Sequence, residues 1–230
     1  MRHRKGSADM KTVALIHTVK RVADTFEEAL RAGVDETIRV YNLLDDYLAN
    51  HPNEVGEFTI NNRNRLFQDL KTQEMTGADL IVTTCSTLTP VVDMLRPLIK
   101  VPVIAIDDAM ASKGVTYGRR ILIMATAEST VEPTREKLKK EAAAAGIEID
   151  LDQIVCREAF HAMKELKMNV HDNILREEAG KIRNYDCVIL AQASMAHLQK
   201  DIQEISKIVT LSSPSLCIRQ INKYFKAEGV

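Results

Sequence analysis

Tryptophan is absent from this 230-residue chain, and only five Phe and five Tyr are present. A nucleic-acid surface interleaves aromatic side chains with a basic stripe. Neither ingredient is here, since 31 Lys and Arg nearly cancel 32 Asp and Glu. Long apolar runs are missing too. Stretches such as Leu80–Val82 and Val188–Ala191 fall far short of the ~20 residues a membrane helix needs. The segment Met1–Met10 is polar and basic with no apolar stretch after it, so no secretory signal is expected. Met10 offers a second start, and residues 1–9 are left out of the fold reasoning. Cysteine is scarce and scattered. Cys85, Cys156, Cys187 and Cys217 form no Cys-x-x-Cys pair and no Cys/His cluster, which argues against a zinc site and against a disulfide scaffold. A reducing cytoplasm is the expected setting.

What the chain does contain is an alternation of short β-rich runs with helical stretches. Strands are expected at Thr12–His17, Thr37–Val40, Asp79–Thr84 and Val101–Ile106, and again at Arg120–Ala125, Ile147–Asp150, Cys187–Ala191 and Ile208–Leu211. Helices are expected around Phe26–Ala32, Asn61–Thr76, Val91–Ile99, Val131–Ala145, Val170–Tyr185 and Leu198–Ile205. Gly77 and Gly146 stand where helix C-caps would sit. This order predicts right-handed crossovers and parallel sheets.

One spacing suggests a duplication. Asp79 and Asp186 each open an apolar strand 107 residues apart, Lys100-Val101 matches Lys207-Ile208, and Leu15-Ile16 matches Leu122-Ile123 at the same offset. The fold class expected is α/β, with two pseudo-symmetric Rossmann-like lobes and a cleft between them. The first lobe spans 10–112, with a C-terminal helix at 215–230 packing back on it, and the second spans 113–214.

Ligands in parallel α/β sheets bind at the carboxyl ends of strands. Those ends read His17-Thr18-Val19, Thr83-Thr84-Cys85-Ser86-Thr87, Ala125-Thr126-Ala127-Glu128-Ser129-Thr130 and Gln192-Ala193-Ser194. Hydroxyls and free amides at helix N-termini bind carboxylate or phosphate, although Ser and Thr also serve as ordinary caps. Cys85 follows a buried strand and precedes a helix, where a thiol faces the positive end of the helix and is drawn toward thiolate. The other three cysteines are expected to be structural. Three further features have bland readings: Arg135–Ala144 as a solvated helix face, Asp45-Asp46 as a charged helix face, and His161 and His171 as surface residues. His197, three residues after Ser194, is a further candidate near the cleft, and the 160–173 segment is a candidate cover.

The run from Gly77-Ala78-Asp79 through Thr83-Thr84-Cys85-Ser86-Thr87 and Val101-Pro102-Val103-Ile104-Ala105-Ile106-Asp107 resembles the aspartate/glutamate/hydantoin racemase superfamily. So does Arg120–Thr130, with its Ala-Thr-x-x-x-Thr loop. The resemblance covers Thr12 to Pro214. It implies two pseudo-symmetric lobes, chemistry without a cofactor, and two cysteines on opposite faces of a carbon beside a carboxylate. Cys85 matches the first cysteine, with Ser86-Thr87 where the family usually has Asn-Thr. The position of the second holds Gln192, where the family has Leu-Gly-Cys-Thr. Glutamine is neither acid nor base at neutral pH, so symmetric two-base racemisation is not supported.

The expected function is therefore proton transfer by Cys85 at the carbon α to the carboxylate of a small acid or amino acid. His17, Thr84, Ser86, Thr87, Thr126, Ser129, Thr130, Gln192, Ala193 and Ser194 are the expected substrate-binding residues. Single-cysteine decarboxylation, lyase or isomerase chemistry is the alternative within the superfamily, and a non-catalytic metabolite sensor is the alternative outside enzymes. Neither a membrane nor nucleic acid is expected as a partner. A homodimer is the family analogy.

Overall fold

The computed structural model describes residues 10–228. The set-aside residues 1–9, and 229–230 at the end of the expected last helix, lie outside the described residues. The first sheet forms from β1 (Lys11–His17), β2 (Ile38–Leu44), β3 (Leu80–Thr83) and β4 (Val103–Ala105), with α1 (Lys20–Gly33), α2 (Tyr47–Val55), α3 (Ile60–Glu74) and α4 (Thr89–Leu95) between them. After α5 (Asp108–Gly114) the pattern restarts with β5 (Arg120–Ala125), α6 (Val131–Ala145), β6 (Asp150–Val155), α7 (Arg157–Lys164) and α8 (Met168–Ala179). It closes with β7 (Cys187–Leu190), α9 (Gln199–Ser206), β8 (Val209–Ser212) and α10 (Ser213–Glu228).

Both sheets are parallel and share one topology, β2-β1-β3-β4 and β6-β5-β7-β8. Successive strand residues point to opposite faces. Val13 and Leu15 accordingly enter one core with Phe26 and Leu30, whereas Ala14 and Ile16 enter another with Leu66 and Leu70. The central strands β1 and β3 are buried on both faces, which is why they read as apolar runs. The second sheet repeats this with Ile121 and Ile123 on one side and Leu122 and Met124 on the other.

The duplication holds, with one correction to its register. β3 and β7 lie 107 residues apart, and so do the β3–β4 and β7–β8 pairings. In the first strands, however, Val13 pairs with Leu80 as Ile121 pairs with Cys187. Leu15 is therefore equivalent to Ile123 rather than Leu122, an offset of one more residue. The intervening segments differ in length by one, and loops absorb such changes at little cost. The symmetry reaches single hydrogen bonds: Asp79 Oδ2 accepts from Thr12 N (2.7 Å) and Asp186 Oδ2 from Arg120 N (2.8 Å).

Other expectations need adjusting. β6 lies at 150–155, not 147–150. Gly146 adopts a left-handed conformation, and Ile147 N–H still closes the helix end onto Ala142 O (2.9 Å), a Schellman cap. Helices α2, α5 and α7 were not expected. The Arg135–Ala144 face is not wholly solvated, because Lys137 is buried and meets Asp108 (2.7 Å) and Glu141 (2.9 Å) at the seam between the lobes. Asp45 is buried beside Arg65, and Asp69 is pushed up to about 7 by burial and by the neighbouring Asp45 carboxylate.

The helix after each sheet's last strand packs on the other sheet. Cys217, Ile218, Ile221 and Phe225 of α10 complete the core of the first sheet. Met110 and Ala111 of α5 lie in the core of the second.

Candidate active site

In this topology the order of strand connection reverses between β1 and β3, and between β5 and β7, leaving a crevice at their carboxyl ends. All four of those ends meet around one cavity of about 90 Å³. Its size suits a small organic acid rather than a nucleotide. Val19 and Val22 enter from the end of β1, Thr84, Cys85, Ser86 and Thr87 from β3, Ala127, Ser129 and Thr130 from β5, and Gln192, Ala193 and Ser194 from β7. Ala49 and Asn53 of α2 and Phe160 and Met163 of α7 complete the wall.

Cys85 is half-buried at the start of a 3-10 turn, Ser86–Leu88, that runs into α4. Its backbone is extended (φ −133°, ψ 121°), and Gln192 at the equivalent position is nearly the same (φ −127°, ψ 134°), heading the 3-10 turn Ala193–Leu198. The first amides of such turns lack helical partners. Hydrogen bonding begins with Leu88 N–H to Cys85 O and Met195 N–H to Gln192 O, which leaves Ser86, Thr87, Ala193 and Ser194 N–H ahead of it.

The remaining thiols cannot share the work. Burial pushes Cys156 up to about 11 and Cys187 up to about 12, and holds Cys217 well above the ordinary thiol value. These three are the structural cysteines the sequence predicts. Among the described residues, Cys85 is the only ionisable side chain lining the cavity.

Gln192 is anchored rather than free. Its Oε1 accepts from Thr126 N (2.6 Å), Thr126 Oγ1 (3.1 Å) and Ala127 N (3.4 Å). The glutamine oxygen thus sits where an anion would meet the amides at the end of β5. Replacing Gln192 with alanine is expected to cost about 1–3 kcal/mol, since buried donors lose their acceptor; chemical denaturation checks this.

Two of the expected contact residues stand behind the wall. Thr126 meets Gln192 from outside the cavity, and His17 is fully buried beneath Thr84. Asn42 Nδ2 donates to Glu27 (2.5 Å), so its carbonyl turns to His17 Nε2 (3.0 Å). A neutral His17 then protonated on Nε2 accepts at Nδ1 from the Thr84 hydroxyl (2.7 Å). Burial lowers the His17 value, in keeping with a neutral ring. His17 therefore orients Thr84. Ser86 is also committed, donating across the lobes to Ala191 O (2.8 Å), and Thr130 donates to Ala127 O (2.8 Å). The hydroxyls of Thr87, Ser129 and Ser194 have no intramolecular partner among the described residues.

The model of the Asp/Glu/hydantoin racemase family matches residues 18–221. The chain belongs to this family. Solved racemase structures share the fold. The aspartate racemase of Picrophilus torridus superposes with a TM-score of 0.71 at 17% identity, covering 93% of this chain and 94% of that one. Glutamate racemase from Thermus thermophilus, in complex with β-chloro-D-alanine, gives 0.69 at 16%, covering 95% and 82%. Allantoin racemase from Klebsiella pneumoniae gives 0.66 at 16%, covering 96% and 89%. No curated protein sequence matches the chain. Racemases are isomerases, so family membership makes an isomerase-type enzyme the frame for this site. No described helix is long and apolar enough to cross a membrane.

Sequence reasoning missed Val19, Val22, Ala49, Asn53, Ala127, Phe160 and Met163. Val19 and Ala127 lie within strand ends already singled out, but with no polar atom on their side chains they carry no signal, and Val22 reads as an ordinary apolar helix residue. Ala49, Asn53, Phe160 and Met163 sit on helices the sequence does not reveal, although Phe160 opens the segment expected to act as a cover.

Proposed function

We propose that this family member transfers a proton on one face of the carbon α to the carboxylate of a small acid or amino acid, with Cys85 as the acid/base. The observation that carries the reading is the asymmetry of the cavity: one ionisable side chain, Cys85, faces a glutamine whose oxygen is already bound. As thiolate, Cys85 takes the α-proton, the C–H electron pair passes into the carboxylate as an enediolate, and the thiol returns a proton to the same carbon. Among the described residues, no Asp, Glu, Lys, Arg or His side chain lines the cavity. The growing negative charge falls to the Thr87, Ser129 and Ser194 hydroxyls and the leading amides of the two turns, donors fixed in advance of the reaction.

A one-sided site makes a distinctive prediction. In deuterium oxide, a substrate among small amino and hydroxy acids is expected to gain α-deuterium without its mirror image accumulating, followed by NMR and chiral chromatography. Inversion at the rate of exchange would sink the one-base reading. Gln192 equally favours a second reaction of the same half-site, protonation of a carbanion left by loss of CO₂, and CO₂ release without exchange would select it. A ligand that shields Cys85 from alkylation but undergoes neither reaction would mark a sensor.

A further inference from the structure

Just outside the cleft, α8 and the turn after β7 bring two imidazoles onto one carboxylate. His171 Nδ1 lies 2.7 Å from Asp172 Oδ1, and His197 Nε2 lies 2.9 Å from the same oxygen. The rings stack with centroids 6.2 Å apart. His171, expected at the surface, is fully buried, and its Nε2 has no partner among the described residues.

The hydrogen bonding of His197 poses a conflict. Its Nδ1 faces the Ser194 carbonyl at 3.1 Å, and a carbonyl only accepts, so Nδ1 carries the proton. In the neutral ring Nε2 is then a lone pair, turned toward a carboxylate oxygen. Two acceptors at hydrogen-bond distance need either a second ring proton or a metal ion between them. A ring N–H given to a backbone carbonyl is also how metal-binding histidines are commonly held.

We propose that His171, Asp172 and His197 bind a divalent transition-metal ion of the zinc class. Two imidazoles and one carboxylate suit zinc, cobalt or nickel better than the all-oxygen preference of calcium or magnesium. The three ligand atoms lie within 4.8 Å of one another. Bonds of ~2.0–2.2 Å set the ligand–ligand edges of a tetrahedral site at ~3.3 Å, so the two short contacts need widen by only a few tenths of an ångström. His197 is 40% exposed and Asp172 17%, which leaves an entry path and an open coordination position. The ion ties α8 to the turn that carries Ala193 and Ser194 in the cavity wall. Sequence spacing gives no sign of this group, because two of its residues are adjacent in sequence and His197 is 25 residues from Asp172.

The proposal does not depend on the role of Cys85, and its test removes that thiol as a competing ligand. The full chain carrying Cys85→Ser, stripped with a chelator, is titrated with Co²⁺ at neutral pH and the visible d–d bands are read. One cobalt per chain is expected, displaced by Zn²⁺. His197→Ala, at an exposed position, and His171→Ala are each expected to weaken binding about tenfold or more, because loss of an outer partner alone costs ~10–100-fold. His161→Ala is expected to leave it unchanged. Absence of saturable binding, or equal binding by His197→Ala, would overturn the proposal and leave the two rings held on Asp172 by a proton.

Discussion

Replacing Cys85 with serine is expected to slow α-proton exchange by roughly 10²–10⁴-fold, the usual contribution of a positioned acid or base. The substitution keeps the shape of the side chain and removes its acidity. Cys85 has no hydrogen-bond partner among the described residues and is half-buried, so the fold should not register the change. The Thr87, Ser129 and Ser194 hydroxyls that would hold a carboxylate are untouched. The loss should therefore fall on kcat with KM little altered, as for a group whose contribution is made in the transition state. A variant retaining wild-type kcat would remove Cys85 from the chemistry and leave the cavity as a binding pocket.

The second large effect concerns Asp107, at the end of β4. Its side chain is 1% exposed, Oδ1 accepts from Thr89 Oγ1 (2.6 Å), and Oδ2 has no partner. Burial pushes the carboxyl up to about 7, reinforced by the Asp108 charge and opposed by the Thr89 hydrogen bond and Lys137. A folded value above the unfolded one means that the folded chain holds its proton more tightly. Stability from this group is then intact below about 4, falls as pH rises toward 7, and levels off beyond. At ~1.4 kcal/mol per unit, the cost at high pH reaches up to about 4 kcal/mol. Asp107→Asn keeps an acceptor for Thr89 and removes the ionisation. The variant is expected to match the wild type at pH ~5 and to exceed it by a few kcal/mol at pH ~9, measured by urea denaturation at both. Comparison with the wild type cancels the Asp45–Asp69 pair and His17, which are common to both. An unchanged difference between the two pH values would mean that Asp107 ionises freely in the folded protein.

The core strands were legible because burial on both faces leaves its mark in composition. Leu80–Val82 and Cys187–Leu190 are uninterrupted apolar runs, and the 107-residue spacing between them is preserved in space. The strand-end rule then led to nine of the residues that line the cavity, Cys85 and Gln192 among them. What failed was short or amphipathic. Helix α7 is eight residues long with two buried alanines, a pattern too brief to show a period. Edge strand β6 is half polar with no fully buried residue, and Ile147, where the strand was expected to begin, belongs to the helix cap. His17 was correctly placed at a strand end, but sequence cannot show whether a side chain at that point turns toward the cleft or under the loop beside it.

The exchange of α5 and α10 between the sheets bears on how the cleft can move. The chain passes from one lobe to the other only twice, between Ala105 and Asp108 and again at Ser212–Ser213. Two covalent joints define a single axle, and a rotation of the lobes about it would have to break the Ser86–Ala191 and Lys140–Asp93 contacts that cross the cleft. Cys85 and Gln192 sit on opposite sides of the cleft and swing about that axle on fixed arcs. Closure about that axle would bring Cys85 back to the same place opposite Gln192 each time.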